Sequence, residues 1–115
     1  MRQIVFYKTE KGESPIVEFL DNLKAKDAQK VTWVLQLIED LDVVPSSYFK
    51  KLKNTDDIWE VRAQSSGNAY RILGFQNGNN FVVLTNGFSK KSQKTPAKEI
   101  NLAERRKADW MRRNT

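Results

Sequence analysis

Two short polar stretches constrain the fold of this chain more than any other feature. Ser65-Ser66-Gly67-Asn68 and Asn77-Gly78-Asn79-Asn80 are hairpin-turn sequences, because glycine and asparagine accept the positive φ that tight turns demand. They separate three β-rich runs, Ile58–Gln64, Ala69–Gln76 and Phe81–Asn86, which predicts an antiparallel meander. If Ser66-Gly67 closes the first turn, Ser65 pairs with Asn68. Trp59, Val61 and Ala63 then face Gly74, Ile72 and Tyr70. On the opposite face Ile58 meets Phe75, Glu60 meets Leu73 and Arg62 meets Arg71. A slip by one residue would break the consistently apolar face, so the pattern selects this register. The same parity carried across the second turn puts Val82, Leu84, Asn86 and Phe88 on the Arg71 face.

The flanking sequence supplies helices and one more strand. Gln3–Lys8 alternates and reads as a first strand. Ser14-Pro15 is a helix start, a hydroxyl cap followed by proline. Ile16, Phe19, Leu20 and Leu23 then form one apolar face. A second helix begins near Asp27 with the stripe Val31, Val34, Leu35, Ile38 and Leu41, widened by Trp33 and Leu37. Glu39-Asp40-x-Asp42 lies at its C-terminal end and lacks the calcium-loop pattern, so it reads as a solvated helix end rather than a cation site. Val43 to Asp57 reads as a connector. Thr95-Pro96 opens a last helix, again as cap and proline. That helix has a thin apolar set (Ile100, Ala103, Trp110) among many cations: Lys98, Arg105, Arg106, Lys107, Arg112 and Arg113. The expectation is one α+β domain over residues 1–115. Its small, mainly antiparallel sheet comprises the N-terminal strand and the meander, packed by two N-terminal helices, with a basic C-terminal helix.

Absent residue types exclude whole chemistries. The chain has no cysteine and no histidine. This removes disulfides, thiol nucleophiles, Ser-His-Asp and Cys-His triads, histidine acid–base work and the usual zinc sites. The apolar run Ile4–Tyr7 is too short for a signal peptide and no stretch approaches a membrane span, which points to the cytoplasm and to no membrane partner.

Charge is distributed unevenly. Residues 1–49 hold six Lys/Arg against eight Asp/Glu, while residues 50–115 hold fourteen against six, for a net charge of +6. A basic half on a mildly acidic half is the footprint of a polyanion binder, nucleic acid first. The stretch Gly87 to Pro96 carries Lys90, Lys91 and Lys94 within five positions. By register, Arg62, Arg71, Lys90, Lys91 and Lys94 share one end of the sheet. Two arginines directly opposite each other repel unless an anion lies between them, and arginine forks with mobile lysines suit phosphate. The competing reading is that Glu60 and other carboxylates neutralise the arginines structurally. Lys50, Lys51 and Lys53 in the connector are either plain surface or a second phosphate-contacting patch.

At these residues the chain resembles a family. Ile58-Trp59-Glu60-Val61-Arg62, Ala69-Tyr70-Arg71-Ile72-Leu73 and Gly87-Phe88-Ser89-Lys90-Lys91-Ser92-Gln93-Lys94-Thr95-Pro96 look like the HigB-like, phage-associated branch of the RelE/ParE toxin superfamily. Ser14-Pro15-Ile16-Val17-Glu18-Phe19-Leu20, Glu99-Ile100-x-x-Ala103 and the order of elements also match. The resemblance implies a RelE-like fold and a type II toxin, a ribosome-dependent mRNA endoribonuclease acting in the A site. It would be held inactive by a cognate antitoxin, usually a helix-turn-helix protein, in a hetero-oligomer. Cleavage would use the RNA's own 2′-hydroxyl, and no metal or cofactor is expected. Carried over, Arg62 and Arg71 would bind the scissile phosphate. Lys90, Lys91 and Lys94 would contact RNA or stabilise charge. Beside the carried-over residues, Gln93, Lys50, Lys51, Lys53, Arg105 and Arg106 are further candidate RNA contacts. Some relatives use histidine or aspartate as acid or base; this chain has no histidine, and Glu60, Tyr70 or a lysine of lowered pKa are the candidates for general base. Pure positioning and electrostatics without a dedicated base is an equal alternative. A gyrase poison of the ParE kind and a non-catalytic partner-binding module of phage origin are the other functional readings.

Overall fold

A computed structural model of the chain describes residues 2–78, 80–91 and 94–114. Its elements are β1 (Gln3–Phe6), α1 (Pro15–Asp21), α2 (Ala25–Asp40), β2 (Phe49–Lys51), β3 (Trp59–Ser65), β4 (Asn68–Asn77), β5 (Phe81–Lys90) and α3 (Ala97–Arg113). The strands form one mixed sheet in the order β1-β5-β4-β3-β2. Only β1–β5 is parallel; the other three pairings are antiparallel. This is the expected small α+β architecture of RelE type, with one strand more than expected. Phe49-Lys50-Lys51, in the predicted connector, pairs with Val61, Glu60 and Trp59.

Local sequence accounts for the helix and hairpin starts. Ser14 Oγ accepts the Val17 N–H at 3.3 Å, and Pro15 is the first helical residue. The β3–β4 turn has Ser66 at φ 55° and Gly67 at φ 78°, the paired positive values of a two-residue hairpin turn whose twist matches its strands. Its register is the predicted one, with Arg62 opposite Arg71. At the C-terminus of α2, Arg2 donates to the carbonyls of Ile38, Leu41 and Asp42. It thereby satisfies acceptors left open by the helix end and places a cation there. Glu39 accepts the Ile4 N–H at 3.3 Å. The acidic cluster read as a solvated helix end therefore helps attach β1.

The second hairpin departs from the parity prediction. A bulge between Leu73 and Gly74 sets Leu73 opposite Asn86 but Gly74 opposite Leu84, leaving Thr85 as the extra residue. Asn86 and Phe88 stay on the Arg71 face. Val82 and Leu84 instead join the core under α1 and α2, and Val83 takes their place beside Phe75. The Thr85 hydroxyl donates to the Leu73 carbonyl at 3.1 Å, and the Thr85 carbonyl accepts from Arg106 at 2.8 Å. Alternation alone cannot announce a bulge held by side chains from another element.

The sheet lies between two helical layers. On one face Val61, Ala63, Tyr70, Ile72, Val82 and Leu84 pack with Ile16 of α1 and Val31, Val34, Leu35 and Ile38 of α2. On the other, α3 lays Ile100 and Ala103 on Ile58, Leu73 and Phe88, and Trp110 on Phe75 and Val83. The C-terminal helix thus covers the apolar half of the Arg71 face and leaves its charged end uncovered. Thr95 is not the cap of that helix: the N-cap position is Pro96, with no side-chain cap bond. The Thr95 hydroxyl goes elsewhere, as described below. No helix among the described residues is long and apolar enough to cross a membrane.

Candidate functional site

β3 and β4 alternate, so every second side chain of each strand emerges on the α3 face. Beyond the N-terminal end of α3 this places Glu60, Arg62 and Arg71 side by side. Glu60 is fully buried. Its Oε1 accepts from Arg62 Nε at 3.0 Å and lies 3.6 Å from Arg71 Nε. Its Oε2 accepts from the Thr95 hydroxyl at 2.5 Å. One carboxylate therefore holds the opposed arginines and the segment leading into α3. This answers the repulsion expected of the Arg62/Arg71 pair, since Glu60 supplies an anion beside it.

That anion does not satisfy the site. Arg71 donates from Nη1 to its neighbour's carbonyl, that of Tyr70, at 2.9 Å. Its Nε is buried and has no hydrogen-bond partner among the described residues. Burial pushes the Arg71 guanidinium below its ordinary value, and Arg62 adds to that, while Glu60 opposes both. Lys90, at the end of β5, is shifted down in the same way: burial first, then Arg71, Arg62 and Lys50, against Glu60. Lys50 belongs to the cluster because β2 pairs it directly with Glu60. Four cations around one carboxylate leave a surplus of positive charge with a buried, unused donor in it. An oxyanion is the chemical complement of that arrangement.

A groove of about 450 Å³ adjoins the pair, lined in part by Lys30, Ser47, Tyr48, Arg62, Gln64 and Arg71. Lys30 and Tyr48 escaped the sequence reading, although Lys30-x-x-Trp33 is a helical i, i+3 pair of cation and ring that alternation and charge counts ignore.

The remaining expected residues are scattered. Tyr70 lies on the α1/α2 face, and its buried hydroxyl donates to Asp27 Oδ2 at 2.5 Å. It is not brought to the cluster. Arg106 lies under α3, bonded to Thr85 and over the Tyr7 ring, where burial lowers its pKa. It too is apart from the cluster, and Arg105 is exposed on α3. Lys51 pairs with Asp57 at 2.7 Å, and Lys53 is exposed in the following turn. Lys91 and Lys94 are exposed just beyond β5. Gln93 lies outside the described residues. Among the described residues no group of acids could hold a metal ion.

No curated protein matches the chain. Residues 18–108, from within α1 to within α3 and including the whole cation cluster, match the family described as Phage derived protein Gp49-like (DUF891). With most of its length covered, the chain belongs to this phage-derived family, which is part of the RelE/HigB-like, toxin–antitoxin-associated group.

Proposed function

We propose that the protein is the toxin of a type II toxin–antitoxin module, of the HigB-like branch, and that it cuts mRNA on the ribosome. The observation that carries this reading is the buried Arg71 Nε, ion-paired with Glu60 at 3.6 Å but without a hydrogen bond, within a surplus of cations. In the proposed step the 2′-oxygen attacks the adjacent phosphorus and loses its proton to solvent water. A P–O2′ bond forms and the P–O5′ bond breaks. The products are a 2′,3′-cyclic phosphate and a 5′-hydroxyl, whose oxygen takes up a proton. Arg62 and Arg71 hold the phosphoryl oxygens, a role that preorganised donors perform without reorganisation during reaction. Lys90, with its lowered pKa, is the proton donor to the leaving oxygen. Glu60, buried and committed to Arg62 and Thr95, positions the arginines. A toxin of this group implies an antitoxin partner, here read as a helix-turn-helix protein.

The test is 5′-end mapping of a defined mRNA in a purified translation system, with the toxin freed of antitoxin. Cuts that appear only with ribosomes are expected. Intact mRNA with active translation would overturn the reading. Double-strand breaks in gyrase assays would then favour a gyrase poison.

A further inference from the structure

Beside the arginine pair, the groove is lined by one aromatic residue that the phosphate chemistry does not use. Tyr48, just before β2, lines the groove that also holds Arg62 and Arg71. Trp33 of α2 meets Tyr48 edge-on, with ring centroids 5.7 Å apart. Trp33 is 46% exposed, where the helical stripe predicted core. Lys30 lies over it at 4.4 Å. A large exposed indole backed by a second ring and a cation is costly as plain surface, and Trp and Tyr so placed commonly mark a binding surface.

We infer that this groove is a nucleobase subsite: the base next to the phosphate held by Arg62 and Arg71 stacks on Tyr48, which Trp33 supports edge-on from outside the groove. The inference rests on the RNA reading given above. Its occupant is a single-stranded nucleotide. The volume of about 450 Å³ lies within the range of about 300–1,000 Å³ typical of small-ligand sites. Lys30, Arg62 and Arg71 supply charge complementary to the backbone, while the Tyr48 ring supplies a π-face that any base can use. Ser47 and Gln64, which line the same groove, offer hydrogen bonds to a base edge and hence a basis for base preference at one position. Single-strand recognition commonly divides in this way, with cations following the backbone and aromatic rings taking the bases.

The test uses short 2′-O-methyl oligoribonucleotides, which the 2′-hydroxyl mechanism cannot cut, and matched oligomers with one abasic position scanned along the chain. Affinity is read by fluorescence anisotropy at low salt. The expected result is that the intact oligomer binds wild type roughly 5- to 150-fold more tightly than the best-placed abasic one, the factor that one stacked base contributes. Tyr48→Leu, which keeps apolar bulk without a ring, loses that factor on the intact oligomer, and Trp33→Leu, which removes the ring supporting Tyr48, loses part of it. They match wild type on the abasic one, and circular dichroism melting verifies their fold. If folded Tyr48→Leu and Trp33→Leu bind both oligomers as wild type does, the subsite is wrong while the phosphate reading stands. If wild type binds neither oligomer, the subsite fails together with the RNA reading on which it rests.

Discussion

Arg71 is where the site's chemistry concentrates. Its guanidinium is mostly buried, accompanied by one carboxylate shared with Arg62, and retains an unused N–H. Arg71→Ala is expected to lower mRNA cleavage by roughly 10²–10³-fold, the effect of removing one preorganised donor, with an unchanged far-ultraviolet spectrum. Folded and fully active Arg71→Ala would remove this residue from the mechanism. Lys90 carries a pH signature. If its ammonium is the proton donor, activity is lost as pH rises through its lowered pKa. The alkaline limb of the cleavage profile therefore falls below the ordinary lysine value, and Lys90→Ala abolishes that limb. On the other face, the Tyr70 hydroxyl holds the Asp27 carboxyl below the ordinary aspartate range, with burial opposing. A depressed folded pKa gives stability that is present above the unfolded value of about 3.9 and is lost as pH falls through the folded value. Tyr70→Phe should therefore lower the melting temperature at neutral pH and flatten its fall between pH 4 and the acid limit, as followed by thermal melts.

The β5 bulge and α3 act as one element. The bulge turns Val82 and Leu84 toward α1 and α2 and keeps Asn86 and Phe88 under α3. Asn86 Nδ2 donates to Glu99 Oε1 at 3.0 Å, and Arg106 closes the Thr85 carbonyl, so both ends of the kink are bonded to the helix. Gly74 makes the kink possible, since a Cβ there would collide with the Val83 carbonyl. Arg106→Ala leaves that partly buried carbonyl without its charged donor and should cost about 1.5–3 kcal/mol in urea unfolding. Its effect on RNA affinity should be far smaller than that of Arg71→Ala. The reverse pattern would return Arg106 to the RNA-binding surface.

At the scale of the molecule, α3 covers the apolar half of one sheet face and stops short of its charged half. Thr95 and Glu60 join the incoming chain to that boundary. The exposed positive surplus predicts steep salt dependence. With four phosphate contacts and a slope of about −0.7 per contact on single-stranded RNA, affinity should fall roughly 50-fold between 50 and 200 mM salt. A flat titration would exclude the cluster as the binding surface.

Alternation and turn chemistry sufficed for the β3–β4 register and the Arg62/Arg71 pair, because both depend on neighbours within one tight hairpin. The Ser14-Pro15 start was legible for the same reason, a cap being satisfied by residues three positions away. The absence of histidine and cysteine narrowed the available chemistry from composition alone. Tertiary structure decided the rest. The three-residue β2 that brings Lys50 to Glu60 is too short to show a period and exists only through pairing with β3. The β5 bulge depends on Arg106, twenty-one positions away. Thr95 looked like a helix cap, and its hydroxyl was redirected by a carboxylate thirty-five positions earlier. Trp33 fitted the apolar stripe of α2, and its ring was left half in solvent beside Tyr48. In each case the competing partner is distant in sequence, and only packing brings it close enough for its hydrogen bond or contact to outweigh local preference.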